Sequence, residues 1–246
     1  MKVTFLCCYN NENELNCMLL PSFSKLSHGS CNLILINSAE RGYRSAAEAY
    51  NKTIEQQKSE LGDILVFCHQ DIAFDNTSFL SNIIAELSHD PRQILGFAGM
   101  RDDGHVVSNL KYHESQKFIT RNQLKEKTRV AAVDECCFAM TKDTFHLLHF
   151  DEKVCNHWHL YAVELCYNAR RNGISSYIIP DEIYHKKNGD GGLYCDKHFL
   201  ATIWRLTRKY HKEHRYIYAP CYICSTNIFQ AAIKITRTTI KNLLKR

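Results

Sequence analysis

The sequence predicts an α/β chain, a mostly parallel sheet flanked by helices, and three observations carry that prediction. Over the first two thirds of the chain, short β-branched or apolar runs alternate with amphipathic stretches, which is the pattern of strand–helix–strand units. A polar triplet, His69-Gln70-Asp71, follows at once on the apolar run Ile64–Cys68, where α/β sheets place ligands. The 246 residues are 45% hydrophobic and 23% charged, which suits one ordinary domain and excludes a disordered, collagenous or low-complexity chain.

Val3–Tyr9 reads as the first strand. Residues 12–26 follow as a helix, with Leu15, Met18, Leu19 and Phe23 at helical spacing and Pro21 interrupting or bending it. Cys31–Asn37 is the second strand, and residues 45–58 carry Ala46, Ala49, Tyr50 and Ile54 on one helical face. After the third strand, Ile64–Cys68, residues 77–87 read as a helix and 94–98 as a fourth strand. Residues 100–129 are polar and weakly periodic, either a long active-site loop or a small insertion. The apolar run 130–140 is interrupted by Asp134-Glu135. Residues 157–171 read as a helix capped by Gly173, and 176–179 as a strand ending at Pro180. A glycine-bearing loop, 187–192, leads into a largely helical tail, and no internal repeat or Pro/Ser-rich linker intervenes.

The net charge of +5 is unevenly spread. From Arg205 onward ten Lys/Arg face one acid, Glu213, a balance of +9, which leaves −4 for residues 1–204. A basic tail on a mildly acidic body points to an acidic partner surface, phospholipid or nucleic acid. No apolar run approaches the roughly 18 residues of a membrane-spanning helix, and Met1 opens directly into a strand-like run without a signal-peptide pattern, so a cytoplasmic location is expected. Twelve cysteines fall below the density of a disulfide scaffold, and Cys7, Cys8, Cys68, Cys136 and Cys137 sit in apolar runs. Reduced, mostly buried thiols are expected.

Several chemistries are disfavoured by what the strands lead into. No strand is followed by G-x-G-x-x-G or a Walker A loop, and no Gly-x-Ser-x-Gly elbow occurs. Cys221-x-x-Cys224, Cys155-x-His157-x-His159 and Cys136-Cys137 lack paired half-sites at finger or ribbon spacing, so incidental thiols outweigh structural zinc. Asp71 has two evenly balanced readings. A carboxylate beyond a buried strand can hold a hard divalent cation, or it is structural, capping the following helix or serving as a plain loop residue.

The surrounding segments break that tie. They are Tyr9-Asn10-Asn11-Glu12 with Leu19-Leu20-Pro21-Ser22-Phe23, the stretch Gly42-Tyr43-Arg44-Ser45-Ala46-Ala47-Glu48-Ala49-Tyr50-Asn51, and Gly62-Asp63 running through strand three to His69-Gln70-Asp71. Later come Val133-Asp134-Glu135, Phe150-Asp151, residues 158–166, Ala169-Arg170-Arg171-Asn172-Gly173 and Ile183-Tyr184-His185. In order and spacing these resemble the family-two-like glycosyltransferases of the GT-A fold, particularly the bacterial group linked to capsule and other surface polysaccharides. The resemblance covers roughly residues 1–190. It implies a GT-A-like catalytic domain over 1–195; the tail lies outside the resemblance and reads as a basic helical C-terminal extension over 196–246.

It also implies a nucleotide-sugar donor, a divalent metal, Mn²⁺ or Mg²⁺, and inversion by single displacement. Asp71 stands at the last position of the family's DxD-type metal motif. His69 replaces the first Asp, as a further ligand or a ribose contact, and His185 is a third candidate ligand; imidazole favours Mn²⁺. Tyr9, Asn10, Asn37, Asn51, His69 and Gln70 are expected to line the nucleotide. Many members carry an acidic pair, including the catalytic base, ahead of the helix ending in Ala-Arg-Arg-x-Gly; here Tyr161-Ala162 occupy it. Glu164, His159 and Asp134, with its neighbour Glu135, remain as candidate bases. For Glu164 the competing reading is a helix-surface carboxylate pairing with Asn168 or Arg171.

Two other functions stay open beside glycan or lipid-linked transfer: a GT-A-shaped scaffold without catalysis, and a nucleotidyltransferase or similar nucleotide-sugar enzyme. The second needs a glycine-rich basic phosphate loop, and residues 8–14 contain neither glycine nor Lys/Arg. Nucleic-acid binding rests on the tail alone and is disfavoured. In the tail, Phe229, Ala232, Ile233, Ile240, Leu243 and Leu244 share one helical arc with Lys234, Lys241 and Lys245 on a flank. Such a helix lies on an anionic membrane surface, making the protein peripheral, or packs on the body with a solvated basic face.

Overall fold

The computed structural model describes residues 1–26, 31–74, 78–120, 123–186 and 195–244. The chain opens with β1 (Val3–Tyr9), α1 (Glu12–Cys17), α2 (Leu19–Phe23), β2 (Cys31–Asn37), α3 (Ala46–Gln56), β3 (Ile64–Cys68), β4 (Ile72–Ala73) and α4 (Ser78–His89). The middle holds β5 (Gln93–Gly96), β6 (Ala98–Met100), β7 (Val106–Ser108), β8 (Lys111–Tyr112), β9 (Thr128–Val130), β10 (Ala132–Val133), β11 (Cys137–Thr141) and α5 (Lys142–Leu148). Then come α6 (Tyr161–Arg171), β12 (Ser175–Ile178), β13 (Tyr184–His185), α7 (Lys197–Tyr210), β14 (Tyr216–Ala219), β15 (Tyr222–Ser225) and α8 (Ile228–Leu243).

The central seven-stranded sheet has the order β2-β1-β3-β11-β5-β12-β9. From the pairings, β2, β1, β3, β5 and β12 run one way and β11 and β9 the other. Because strand side chains alternate between faces, Val3, Phe5 and Cys7 of β1 enter one core with Ile64, Val66 and Cys68 of β3, under α1, α2 and α4. Leu6, Leu65 and Phe67 enter the opposite core, under α3, α6 and α7. Gly62 lets β3 start hard against β1: a Cβ there would come within 2.4 Å of the Lys2 carbonyl oxygen.

Several expected elements differ in the structure. The helix expected over 12–26 is two helices that meet at Met18 (φ −116°, ψ −74°). Pro21 dictates this, since its ring would clash with the Cys17 carbonyl in a continuous helix; it sits instead in the first turn of α2, where its missing N–H costs nothing. The strand expected over 94–98 splits at Phe97 between the central sheet and a small sheet, β10-β6-β7. Residues 100–129 are not a bare loop, since β7, β8 and most of β9 fall there. The run 130–140 becomes three strands turning at Asp134–Cys136. The helix expected from 157 starts at Tyr161, after Leu160 in the left-handed region (φ 67°).

The largely helical tail also holds a hairpin, because β14 and β15 pair between α7 and α8. Phe199, Leu200, Ile203, Leu206, Tyr210, Ile217 and Ala231 belong to the same core as α3 and α6. The loop expected over 187–192, and Lys245, lie outside the described residues. No disulfide joins the twelve cysteines, all of which lie among the described residues. Among the described residues no helix is long and apolar enough to cross a membrane.

Candidate functional site

β1 connects to β2 on one side while β3 lies on the other, so the sheet reverses its winding between β1 and β3. Crevices beyond the carboxyl ends of strands at such a point are ligand sites. A cleft of about 480 Å³ opens there, between the residues that follow β1, β2 and β3, with Tyr43, Trp158 and Tyr161 on its other walls.

A second small sheet, β4-β13-β8, assembles the chemistry of this cleft. β13 pairs antiparallel with β4, so His185 stands opposite Ile72, and the Lys186 N–H donates to the Asp71 carbonyl at 2.9 Å. Residues distant in sequence thereby converge. His69 Nδ1 lies 3.8 Å from Asp71 Oδ1 and His185 Nε2 lies 3.7 Å from Asp71 Oδ2. One ligand atom from each of His69, Asp71 and His185 falls within 4.8 Å of the others. Neither Cys221 and Cys224 nor Cys155, His157 and His159 form such a cluster among the described residues.

These side chains suit a cation. His185 Nδ1 lies 2.7 Å from the Lys186 carbonyl; a carbonyl only accepts, so Nδ1 carries the proton and Nε2 turns its lone pair toward Asp71. Desolvation in the cleft pushes the His69 imidazole below its usual pKa, with Asp71 opposing, which favours the neutral, ligating ring. Two imidazoles and one carboxylate match Mn²⁺ better than Mg²⁺.

Of the residues expected to line the nucleotide, Tyr9, Asn10, His69 and Gln70 border the cleft. The Gln70 amide is already engaged. Its oxygen accepts from the N–H groups of Asn10 (2.9 Å) and Asn11 (3.0 Å), and its nitrogen donates to Asn10 Oδ1 and Glu14 Oε2, both at 3.1 Å. Gln70 is a strut between the ends of β1 and β3. Asn37 and Asn51 do not border the cleft. Asn37 Oδ1 accepts from the N–H groups of Ala39 and Glu40 at 3.2 Å, shaping the turn that presents Ser38 and Ala39. The Asn51 amide bonds both backbone groups of Phe150 and the Glu152 carboxylate, tying α3 to the segment after α5.

The candidate bases separate sharply. Glu164 is fully buried, accepting from Lys209 Nζ at 2.6 Å and the Tyr210 hydroxyl at 2.8 Å. It is neither in the cleft nor a surface partner of Asn168 or Arg171, which bond the Leu148 carbonyl and Glu213 respectively. Asp134, half-buried, accepts from the Cys136 N–H at 2.9 Å on the turn whose Cys136 carbonyl takes the His69 N–H, also at 2.9 Å. His159 Nε2 lies 3.8 Å from Asp196 Oδ1, next to Trp158 of the cleft wall. Glu135 faces the first N–H groups of α6; burial, then the charge of Asp134, push its carboxyl up to about 8, with the Tyr161, Leu160 and Ala162 N–H groups pulling it back.

Glu14, Tyr43 and Trp158 also border the cleft, beyond the residues that the sequence singles out for it. Glu14 also accepts from Lys186 Nζ at 2.9 Å, joining α1 to the strand that carries His185. Its only signal is an acid one turn beyond the strand end, which is too common to single out.

A Rossmann-like sheet with a metal-capable His-Asp-His cluster at its switch point defines a GT-A-type α/β protein. The chain belongs to the family described as "Glycosyltransferase like family", whose sequence profile matches residues 4–187. No curated protein matches it. Among solved structures it is similar to GalNAc-T7 with UDP, GalNAc and Mn²⁺ (TM-score 0.56, 14% identity), over 84% of this chain and 47% of that one. The chain thus spans about half the length of that relative. It is also similar to the mannosyltransferase PcManGT from Pyrobaculum calidifontis in complex with GDP-Man and Mn²⁺ (TM-score 0.55, 12% identity), over 95% of this chain and 69% of that one. At these identities the likeness is one of fold.

Proposed function

We propose that the protein is a nucleotide-sugar-dependent glycosyltransferase that moves a sugar to a glycan or lipid-linked acceptor in surface polysaccharide synthesis, with inversion. The convergence of His69, Asp71 and His185 at the switch point carries this reading. Family membership supports it, as do two structures of the same fold that hold Mn²⁺ with a nucleotide or nucleotide sugar. Asp71, His69 and His185 would hold the cation, which when bound neutralises charge on the departing diphosphate. Tyr9, Asn10 and Tyr43 would border the nucleoside, and the Trp158 indole offers an apolar face to a sugar. Residues 1–195 would form the catalytic unit, working on the cytoplasmic side, with 196–246 as its extension.

The test is a panel of UDP-, GDP-, CMP- and dTDP-sugars with and without Mn²⁺, read by thermal shift and by donor hydrolysis. One donor class is expected to raise the melting temperature and to be slowly hydrolysed only with metal present. Stabilisation without any hydrolysis or transfer would favour the scaffold reading.

Within this reading Asp134 is the acceptor's base, because its turn carries the carbonyl that fixes His69 and its charge acts on the His69 imidazole. D134N is expected to lower kcat about a hundredfold or more at near-constant donor affinity. Unchanged turnover in D134N would transfer the role to His159, for which H159Q is the corresponding variant.

A further inference from the structure

Helix α8 packs on the body through one narrow face. Ala231 is buried and Ile235 leans on the core. The Thr238 and Tyr222 hydroxyls meet at 3.0 Å, and the Asn242 amide donates to the Cys195 carbonyl at 2.6 Å. At about 100° per residue these four positions share an arc. The opposite arc holds Phe229, Ile233 and Ile240, with Leu243 and Leu244 on its shoulders. These side chains stand in solvent: Phe229 is 81% exposed, Ile233 53%, Ile240 50%, Leu243 65% and Leu244 83%. The helix is fixed to the body on one side and apolar on the side facing away, which a merely solvated surface helix does not need.

The border of this apolar strip is cationic. Lys234, Arg237 and Lys241 share one flank; Lys234 folds back onto the Ile223 carbonyl and the Tyr222 ring, and Arg237 and Lys241 line a shallow groove with Ile233. At the other end of the strip, His211, Lys212 and Arg215 lie in the surface depression that also contains Phe229. Glu213, the one acid beyond residue 204, lies in the same depression but is held by Arg171, so this stretch of the chain carries a net positive charge.

We propose that this face of α8 docks on an anionic phospholipid bilayer, with the apolar strip at the acyl boundary and the cations among the headgroups. At 1.5 Å per residue the helix is about 24 Å long, too short to span the hydrocarbon core and suited to lying flat. A second copy fits poorly, since mating two such faces would oppose Arg237 and Lys241 to like charges with no acid to pair. A nucleic acid would engage the cations but leave Phe229, Leu243 and Leu244 uncovered. The docking is independent of the sugar-transfer reading and is tested without a donor.

The test is cosedimentation of the full chain with phosphatidylglycerol–phosphatidylethanolamine vesicles, beside phosphatidylcholine vesicles, at low and high salt. The protein is expected to pellet with the anionic vesicles and at least about tenfold less with the neutral ones or at high salt. The variant F229S/I233S/I240S, altered only outside the buried core, should keep the wild-type melting temperature and lose pelleting. The charge reversal R237E/K241E, which leaves the apolar strip intact, should weaken it by a similar factor. Wild-type protein remaining in the supernatant with anionic vesicles would overturn the proposal, and so would either variant pelleting as wild type does. A lipid-free dimer that the triple substitution converts to monomer would also overturn it, by assigning the face to a second copy.

Discussion

Asp71→Ala is expected to abolish metal-dependent donor binding while the chain stays folded. Asp71 is the middle member of the cluster, with one carboxylate oxygen toward each imidazole. Removing it leaves two histidines with no anionic oxygen between them to share a divalent cation. Loss of an outer hydrogen-bond partner alone costs about 10–100-fold in metal affinity, so loss of this central carboxylate should cost at least about a hundredfold. The fold should survive, because the bond that joins β4 to β13 here uses the Asp71 backbone carbonyl, not the side chain. Calorimetry of Mn²⁺ with the donor selected by the panel, run on wild type, D71A and D71N, reads the effect directly. Donor plus Mn²⁺ binding D71A as it binds wild type would remove the basis for the site.

The elements legible in the sequence are those whose side chains repeat a period long enough to see. β1, β2 and β3 fall on their expected residues, and with them came the position of Asp71 at a strand end. His185 is legible only through the family resemblance, because the two-residue strand that carries it shows no periodicity of its own. The same brevity hid β7, β8 and β10. Asn37 and Asn51 show the opposite error. An amide at a strand end or on a helix invites a ligand role, yet both are spent on backbone groups, a competition that Asn side chains commonly win locally. For Asn37 the partners, Ala39 and Glu40, are local to its own turn; for Asn51 the partner, Phe150, is distant in sequence and is set by tertiary geometry rather than by pattern. The tail shows how a helical wheel can be right about composition and incomplete about placement. The apolar arc exists, but the small and polar residues Ala231, Thr238 and Asn242 are the ones that touch the body.

Glu164 is the sharpest case, and it leads to the second large effect: Lys209→Met is expected to destabilise the protein by about 3–5 kcal/mol. Lys209 reaches from α7 to two carboxylates on other elements, Glu164 at 2.6 Å and Asp151 at 2.7 Å. Burial works against its charge, yet Asp151 and Glu164 together raise its pKa, so the ammonium stays protonated at physiological pH. Without it, Glu164 is a buried carboxylate with only the Tyr210 hydroxyl as donor, facing Asp151 with no cation between. For a chain of this size the loss corresponds to a fall in melting temperature of about 10 °C. E164Q should cost less, because it removes the charge along with the need to compensate it and keeps a group that accepts from Tyr210. The double variant K209M/E164Q should therefore recover part of what K209M loses, a coupling that a double-mutant cycle measures. The same pair of variants decides the role of Glu164, since a carboxylate bound to this latch, and not to the cleft, predicts that E164Q leaves kcat at the growth temperature near wild type. A large fall in kcat for E164Q with an unchanged melting temperature would reverse that assignment, and an unchanged melting temperature in K209M would show that α7 is held to α6 by its apolar face alone.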